Sequence, residues 1–474
     1  MKLKSINPYT NETIAEFEEY SNKEIESCIL KSKDCFAQWK ASTIEYRKTI
    51  LLKAAEVLIE GKELFAQTIS EEMGKTKSEA EAEIMKCAWV CEHYANDAEV
   101  LLQREAVFSD AYHSYVSYEP LGTILGIMPW NFPFWQVFRF VAPTLMAGNV
   151  VLLKHASNVQ LCAKAIENVF EKAGLPDGVF QNLIIGSQKV QKVIEHDTVK
   201  AVSLTGSEFA GKKVASIAGN SIKKTVLELG GSNAFIVLED ANIEKAVEIG
   251  IKSRVQNAGQ SCIAAKRFIV HEKIHEQFIK LYLQKINELK LGDPFDTTTY
   301  LGPLSSIKQA EKVYKQVEDS VNKGAEIIYG GKPDKAMYPP TLVKGVKPGM
   351  PLFDEEVFGP VTPVIVCKDV EEAIDLANKS NYGLGVSLFT NNLEKAEELI
   401  PQFEDGAVFI NAMVKSDPRL PFGGTKRSGY GRELAVNGIR EFVNVKTVYI
   451  DKFIDQKSEE KKETVISTGQ TASP

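Results

Sequence analysis

After residue 120 the chain repeats one pattern: a short, almost uninterrupted apolar run, a break, and then a stretch with helical spacing. The runs are Gly-Thr-Ile-Leu-Gly-Ile-Met at 122–128, Val-Val-Leu-Leu at 150–153, Val-Phe-Gln-Asn-Leu-Ile-Ile at 179–185 and Ala-Val-Ser-Leu at 201–204. A strand that is apolar on both faces must be covered on both, and the helix-length gaps supply the covers. The pattern therefore predicts an α/β fold with a parallel, doubly wound sheet. Segment 159–173 has the make-up of a crossover helix: Ala163, Ile166, Val169 and Phe170 share one face, and Ala-Gly-Leu-Pro closes its C-terminal end. A second series starts at 234–238 and continues with runs at 267–270, 362–366, 385–389 and 407–410, which predicts a second α/β domain.

Between residue 22 and about residue 100 the spacing is helical instead. Ile25, Cys28, Ile29, Cys35, Phe36 and Trp39 recur every three or four positions with charges between them, so these helices are expected to cover a sheet. Residues 106–118 and 443–450 alternate with a period near two, and both read as sheet edges open to another subunit. From about residue 455 the chain is Lys, Glu, Ser and Thr without periodicity, the composition of a disordered tail. A length of 474 residues leaves room for at least two cores, at roughly 150 residues per domain.

Composition removes several function classes. The formal net charge is −7, which offers no electrostatic footprint for nucleic acid or an anionic membrane. The seven cysteines form no CxxC pair, so neither a zinc site nor a disulfide framework is expected, and no metal is expected elsewhere. The long uncharged stretch between Glu119 and Arg139 is broken by Pro129, Asn131 and Pro133 and reads as buried protein, not as a membrane span. The N-terminal Met-Lys-Leu-Lys-Ser-Ile-Asn-Pro lacks the apolar core of a signal peptide; the expectation is a mature protein that begins there and resides in the cytoplasm.

Chemistry is suggested by three separate groups. Cys262 sits in Asn-Ala-Gly-Gln-Ser-Cys-Ile-Ala-Ala-Lys, where small and polar neighbours allow close backbone approach. Glu228 precedes a glycine pair, and Asn131 lies in the proline-clamped Met-Pro-Trp-Asn-Phe-Pro at 128–133. A thiolate attacks a carbonyl carbon, a carboxylate activates water, and an amide N–H stabilises an oxyanion. Each has an ordinary reading as well: a buried small hydrophobe for the cysteine, a turn for the asparagine, a cap for the glutamate.

Six motifs occur in order: Met-Pro-Trp-Asn-Phe-Pro, Leu-Thr-Gly-Ser at 204–207, Leu-Glu-Leu-Gly-Gly at 227–231, Gly-Gln-Ser-Cys at 259–262, Glu-Glu-Val-Phe-Gly-Pro at 355–360 and Pro-Phe-Gly-Gly-Thr-Lys-Arg-Ser-Gly-Tyr-Gly-Arg-Glu at 421–433. Together they resemble the NAD(P)-dependent aldehyde dehydrogenase superfamily, most closely its succinate-semialdehyde dehydrogenases, from about residue 5 to residue 452. The resemblance implies a Rossmann-like doubly wound cofactor domain at 1–104 and 120–230, a catalytic domain at 231–440 and a small β oligomerisation arm at 105–119 and 441–454. It also implies a homodimer or homotetramer.

Residue by residue, the resemblance makes Cys262 the nucleophile, with Asn131 and the Cys262 backbone N–H as the oxyanion hole. Glu228 becomes the group that activates the hydrolytic water. Glu433 is either part of a proton relay or a structural ion-pair partner. No Gly-x-Gly-x-x-Gly follows a strand; instead Gly206 and Ser207 open a helix at which the family binds pyrophosphate. Lys154 matches the lysine at the adenosine ribose, Trp130 lines the same cleft, and Glu356 and Phe358 match the positions at the nicotinamide ribose and ring.

Arg139, eight residues after Asn131, matches the arginine that holds the far carboxylate of succinic semialdehyde; its alternative is pairing with a protein carboxylate, since an unpaired buried guanidinium is costly. Some members of that group carry a second arginine where this chain has Gln256, which leaves Ser416 and Arg419 as reserve substrate contacts. The substrate implied is a small aldehyde, succinic semialdehyde first and other short aldehydes as the alternative. Coenzyme-A acylation is disfavoured because Glu228 admits water. Ser157, three residues after Lys154, stands where NAD-preferring members place a glutamate. A serine neither repels a 2′-phosphate nor grips the ribose hydroxyls, so NADP is expected to serve at least as well as NAD.

Overall fold

The computed structural model describes residues 2–452. The expected tail at 455–474 and the last two residues of the arm lie outside the described residues. The first of the two large sheets has six strands in the order Gly429–Tyr430, Lys224–Glu228, Val199–Thr205, Thr123–Met128, Val150–His155, Phe180–Asn182. All neighbours are parallel except the first pair. The chain steps outward from Thr123–Met128 to Phe180–Asn182 and then returns to the opposite flank at Val199–Thr205. The order thus reverses between Thr123–Met128 and Val199–Thr205, and a crevice opens beyond their carboxyl ends. Those ends deliver Trp130 and Asn131 from one strand, Gly206 and Ser207 from the other.

The apolar runs form strands because the sheet is covered on both faces: every residue of Val150–His155 is buried, as is nearly all of Thr123–Met128. Run 179–185 forms a shorter strand than its hydrophobicity suggests. After Asn182 the chain leaves the ladder, and the Ile184 carbonyl accepts from the Tyr20 N–H. Helices Asn22–Ala41, Ile44–Glu60, Lys62–Met73 and Lys77–Leu101 occupy the predicted N-terminal stretch. The Ser21–Glu24 capping box starts the first of them. Ahead of these helices, Lys2–Ile6 and Thr13–Glu18 form an antiparallel hairpin that the sequence pattern does not announce.

The second sheet runs Glu326–Tyr329, Thr341–Lys344, Val361–Cys367, Ala265–His271, Asn233–Val237, Val386–Phe389, Val408–Ile410. It is parallel apart from its first pair. Its core is aromatic: the Phe235 ring lies 4.9 Å from that of Phe268 and 4.5 Å from that of Phe389. Residues 429–440, expected with this unit, sit on the first one. Gly429–Tyr430 extends the first sheet, and helix Ala435–Arg440 packs on the helices Lys77–Leu101 and Trp135–Met146.

The two period-two segments, each read as a sheet edge, belong to one sheet in which Val443–Ile450 is an edge and His113–Pro120 is central. They pair with each other, His113–Pro120 against Val443–Ile450 from Pro120↔Val443 to His113↔Ile450. Glu105–Ala106 pairs with Val116 and Tyr115 on the other side, which puts His113–Pro120 in the centre.

Helix Trp135–Met146 follows the Asn131 loop, and its first turn has no cap from its own chain neighbourhood. Glu83, on helix Lys77–Leu101, supplies it: Oε1 accepts from the N–H groups of Phe134 and Trp135 at 2.9 Å each. Its other oxygen is ion-paired with Lys75, and both side chains are buried. Replacing Glu83 with Ala strands the Lys75 ammonium and uncaps the helix. The expected cost is about 3 kcal/mol, the usual scale for breaking a buried pair, read as a lowered denaturation midpoint at unchanged m-value. A loss below about 0.5 kcal/mol would show that the cap does not hold this helix in place.

Candidate active site

Cys262 lies between helix Ile243–Val255 and strand Ala265–His271, in a loop that begins with a strained turn. Asn257 and Ala258 both have positive φ, 55° and 51°, a conformation that costs a side-chain-bearing residue of order 1 kcal/mol or more. Side chains from four directions hold it. The Asn257 N–H donates to Glu79 Oε1 at 2.8 Å, and Asn257 Nδ2 donates to the Asn131 carbonyl at 2.7 Å. Gln260 Oε1 accepts from the Ser305 N–H at 2.8 Å. Arg254, fully buried, donates to the carbonyls of Gly259, Val357, Gly359 and Ala265. Lys266 Nζ donates to the carbonyls of Ser261 and Cys262 and to Glu356 Oε1, at 2.8, 2.8 and 3.0 Å. Gly231 must be glycine here, because a Cβ would stand 2.6 Å from the Cys262 carbonyl oxygen.

Asn131 faces this loop. Its Nδ2 donates to the Gln260 carbonyl at 3.0 Å, leaving its second amide hydrogen for a ligand. The loop that carries it is fixed by His155. His155 Nδ1 accepts from the Ala156 N–H at 2.9 Å, so Nε2 carries the proton and donates to the Pro133 carbonyl at 2.9 Å. Burial pulls this imidazole down to about 4, and it stays neutral.

Glu228 ends its strand at the same place. It is buried, and neither carboxylate oxygen has a hydrogen-bond partner. Desolvation, reinforced by the charge of Glu433, raises its pKa well above the ordinary carboxylate range, against the pull of Arg139. Arg139 is buried and ion-paired with Glu433, which also accepts from Ser203 Oγ at 3.3 Å. Arg139 Nη2 donates to Thr205 Oγ1 at 3.3 Å, and the guanidinium lies 4.6 Å from the Phe422 ring centroid. Thus Arg139 meets a protein carboxylate, and its charge is balanced without a substrate anion.

A cavity of about 520 Å³ opens beside Cys262 and Arg139. Cys262, Arg139, Gln256 and Ser416 line it, together with Phe132 and Phe422. Arg419 does not: it is exposed, ion-paired with Asp417 and stacked 5.4 Å from the Trp89 ring, because Asp417 turns it outward. Lys86 also lines the cavity and was not singled out from the sequence. A spacing signal exists, since Glu79, Glu83, Lys86 and Val90 share one stripe of a helix whose stripe faces inward. Asn257 and Glu79 carry no comparable signal, because their partners are distant in sequence.

At the crevice, Ser207 caps helix Glu208–Asn220 by accepting from the Ala210 N–H at 3.3 Å. The Gly206 N–H is not free: it donates to the Glu228 carbonyl at 2.9 Å. Lys154 is buried and unpaired among the described residues, and burial lowers its pKa. Ser157 is partly exposed. Trp130 packs edge-on against Phe358, ring centroids 5.8 Å apart. Glu356 Oε1 accepts from the Gly231 N–H at 3.0 Å as well as from Lys266.

A model of the aldehyde dehydrogenase family matches residues 1–448. The chain belongs to the aldehyde dehydrogenase family. It is 48% identical to a probable succinate-semialdehyde dehydrogenase [NADP(+)] of Synechocystis sp., over 95% of this chain and 100% of that protein. It is 45% identical to a succinate-semialdehyde dehydrogenase [NADP(+)] of Mycobacterium avium, over 95% and 97%. Among solved structures, succinic semialdehyde dehydrogenase from Streptococcus pyogenes in complex with NADP+ superposes with a TM-score of 0.93, at 37% identity, covering 95% of this chain and 100% of that one.

In this aldehyde dehydrogenase the free site holds the thiol of Cys262 protonated: desolvation pushes it up to about 11, and Lys266 and Arg139 only partly offset this. Because the thiolate is the reactive form, inactivation of the ligand-free enzyme by iodoacetamide should accelerate roughly tenfold per pH unit between pH 7 and 9. A rate that levels off below pH 8 would show that the free site stabilises the thiolate.

Proposed function

We propose that this aldehyde dehydrogenase oxidises succinic semialdehyde to succinate, with NADP+ as the preferred cofactor and NAD+ as a second one. The observation that carries the chemistry is the gathering of three groups at one loop: Cys262 faces the cavity, Asn131 bonds the Gln260 carbonyl of the Cys262 loop, and the buried, unpartnered Glu228 lies close enough for its charge to act on the thiol. The substrate reading is supported by the similarity to succinate-semialdehyde dehydrogenases and by a cavity wall that carries four cations, Lys86, Arg139, Lys252 and Lys415.

The crevice suits a phosphorylated dinucleotide. Lys154 is an unpaired buried ammonium near the strand end, Ser157 adds no negative charge beside it, and Gly206–Ser207 open a helix. Glu356 is already oriented by Gly231 and Lys266 to accept ribose hydroxyls, and Trp130 and Phe358 give an apolar setting for the ring.

In the proposed mechanism the Cys262 thiol gives up its proton to solvent, its Sγ attacks the aldehyde carbon, and the oxyanion receives hydrogen bonds from Asn131 Nδ2 and the Cys262 N–H. Bound nicotinamide supplies the hydride acceptor for that carbon. Glu228 then takes a proton from the water that attacks the thioester, and its raised pKa makes it a stronger base than an ordinary carboxylate once it is ionised. The acid leaves and the thiol is restored. Glu433 holds Arg139 beneath Glu228, so the proton on Glu228 is set against a fixed positive charge.

The seven cysteines are free, which fits the reducing cytoplasm proposed as its location. Among the described residues no helix is long and apolar enough to cross a membrane. A homodimer or homotetramer is proposed from the three-stranded sheet, which presents Val445 and Tyr449 to solvent and, among the described residues, leaves the outer edge of Val443–Ile450 unpaired.

Two measurements test this reading. With succinic semialdehyde, wild type should show kcat/KM for NADP+ at least equal to that for NAD+, and Ser157→Glu should depress NADP+ use selectively, by roughly tenfold or more, through repulsion of the 2′-phosphate; a strong wild-type preference for NAD+ overturns the cofactor assignment. In Glu228→Gln a burst of reduced cofactor should precede a slow steady state, because only deacylation needs the base. Equal loss in both phases would assign the water to another group.

A further inference from the structure

Buried cations hold different parts of the site. Arg139 pairs with Glu433, and Arg254 holds the carbonyls of Gly259 and Ala265 on either side of the thiol. Lys266, four residues after Cys262 on strand Ala265–His271, reaches the peptide of the nucleophile itself. Its Nζ meets three acceptors: the carbonyls of Ser261 and Cys262 at 2.8 Å each and Glu356 Oε1 at 3.0 Å. The side chain is 1% exposed. Three acceptors around one buried nitrogen require three N–H groups, so the group is an ammonium even though burial lowers its pKa. Glu356 supplies the countercharge, and the Gly231 N–H fixes the same carboxylate oxygen at 3.0 Å.

The Ser261 carbonyl and the Cys262 N–H belong to one peptide plane, and in a trans peptide they point in opposite directions. A cation bonded to the carbonyl therefore turns the N–H away from itself. By drawing electron density toward the oxygen it also makes that N–H a stronger donor. The Cys262 N–H has no protein acceptor among the described residues, which leaves it for an oxyanion.

We propose that Lys266 is a positioning residue for the reaction: through the Ser261 carbonyl it aims and polarises the Cys262 N–H that receives the oxyanion together with Asn131 Nδ2. This rests on the reading that aldehyde oxidation passes through an oxyanion at Cys262. The charge of Lys266 also favours the thiolate, against a larger opposing effect of desolvation, and the experiment has to separate the two effects.

Alkylation by iodoacetamide needs the thiolate and forms no oxyanion, whereas addition of the thiol to an aldehyde needs the thiolate and forms one. The test compares kcat/KM for succinic semialdehyde with the rate constant for alkylation, both at saturating NADP+ and one pH, in wild type, Lys266→Met, Lys266→Gln and Asn131→Ala. Lys266→Met should lose roughly tenfold or more in kcat/KM beyond whatever it loses in alkylation, a part of the 10²-fold to 10³-fold scale for one oxyanion donor. Lys266→Gln, which keeps two N–H donors without the charge, should show the same excess loss and serves if the methionine variant does not fold. Equal losses in the two assays would confine Lys266 to the fold or to thiol ionisation and overturn the proposal, as would unchanged rates in both. If Asn131→Ala shows no excess loss in kcat/KM either, the oxyanion reading beneath the proposal is what fails.

Discussion

Asn131 and the turn at Asn257–Gln260 exchange amide hydrogen bonds across the junction of the two sheets. Asn257 Nδ2 donates to the Asn131 carbonyl, and Asn131 Nδ2 donates to the Gln260 carbonyl. The remaining geometry of the site follows from this exchange, because it fixes the amide of one unit relative to the thiol of the other. The turn takes on two residues with positive φ to make it. Glu79, Arg254 and Gln260 offset that strain with hydrogen bonds to otherwise unsatisfied backbone groups.

Desolvation dominates the electrostatics. It raises the pKa of Cys262, Glu228 and Glu433 and lowers those of Lys86 and Lys154. The resting site is therefore one of neutral or weakly charged groups held ready, and charge develops as ligands and intermediates form. Arg139 and Glu433 are the exception, a buried pair beneath Glu228 whose attraction offsets part of the burial cost of both. Lys86, also on the cavity wall, has only a hydroxyl and an aromatic face as partners.

Much of the fold was legible because apolar runs and helical spacing are local. Strands Thr123–Met128, Val150–His155, Asn233–Val237 and Val361–Cys367 lie where uninterrupted apolar residues place them, since a strand buried on both faces leaves no room for a polar alternation. The hairpin at Lys2–Ile6 and Thr13–Glu18 was not legible, because four of its eleven residues are charged and only Leu3 and Phe17 join a core. The motifs around Cys262, Glu228 and Asn131 were legible as a family pattern; Arg419 was misread because Asp417, two residues away, turns it outward.

The sequence by itself determined two α/β units, the order of the motifs and the identity of the thiol, acid and amide, because each depends on residue type and near neighbours. Tertiary structure alone decided that Glu433 neutralises Arg139, that Glu83 caps the helix after Asn131, and that Lys86 meets Ser416 from 330 positions away. The physical reason is that a charge acquires its partner, its burial and hence its pKa only when distant segments close around it. No local spacing encodes which carboxylate will be within reach.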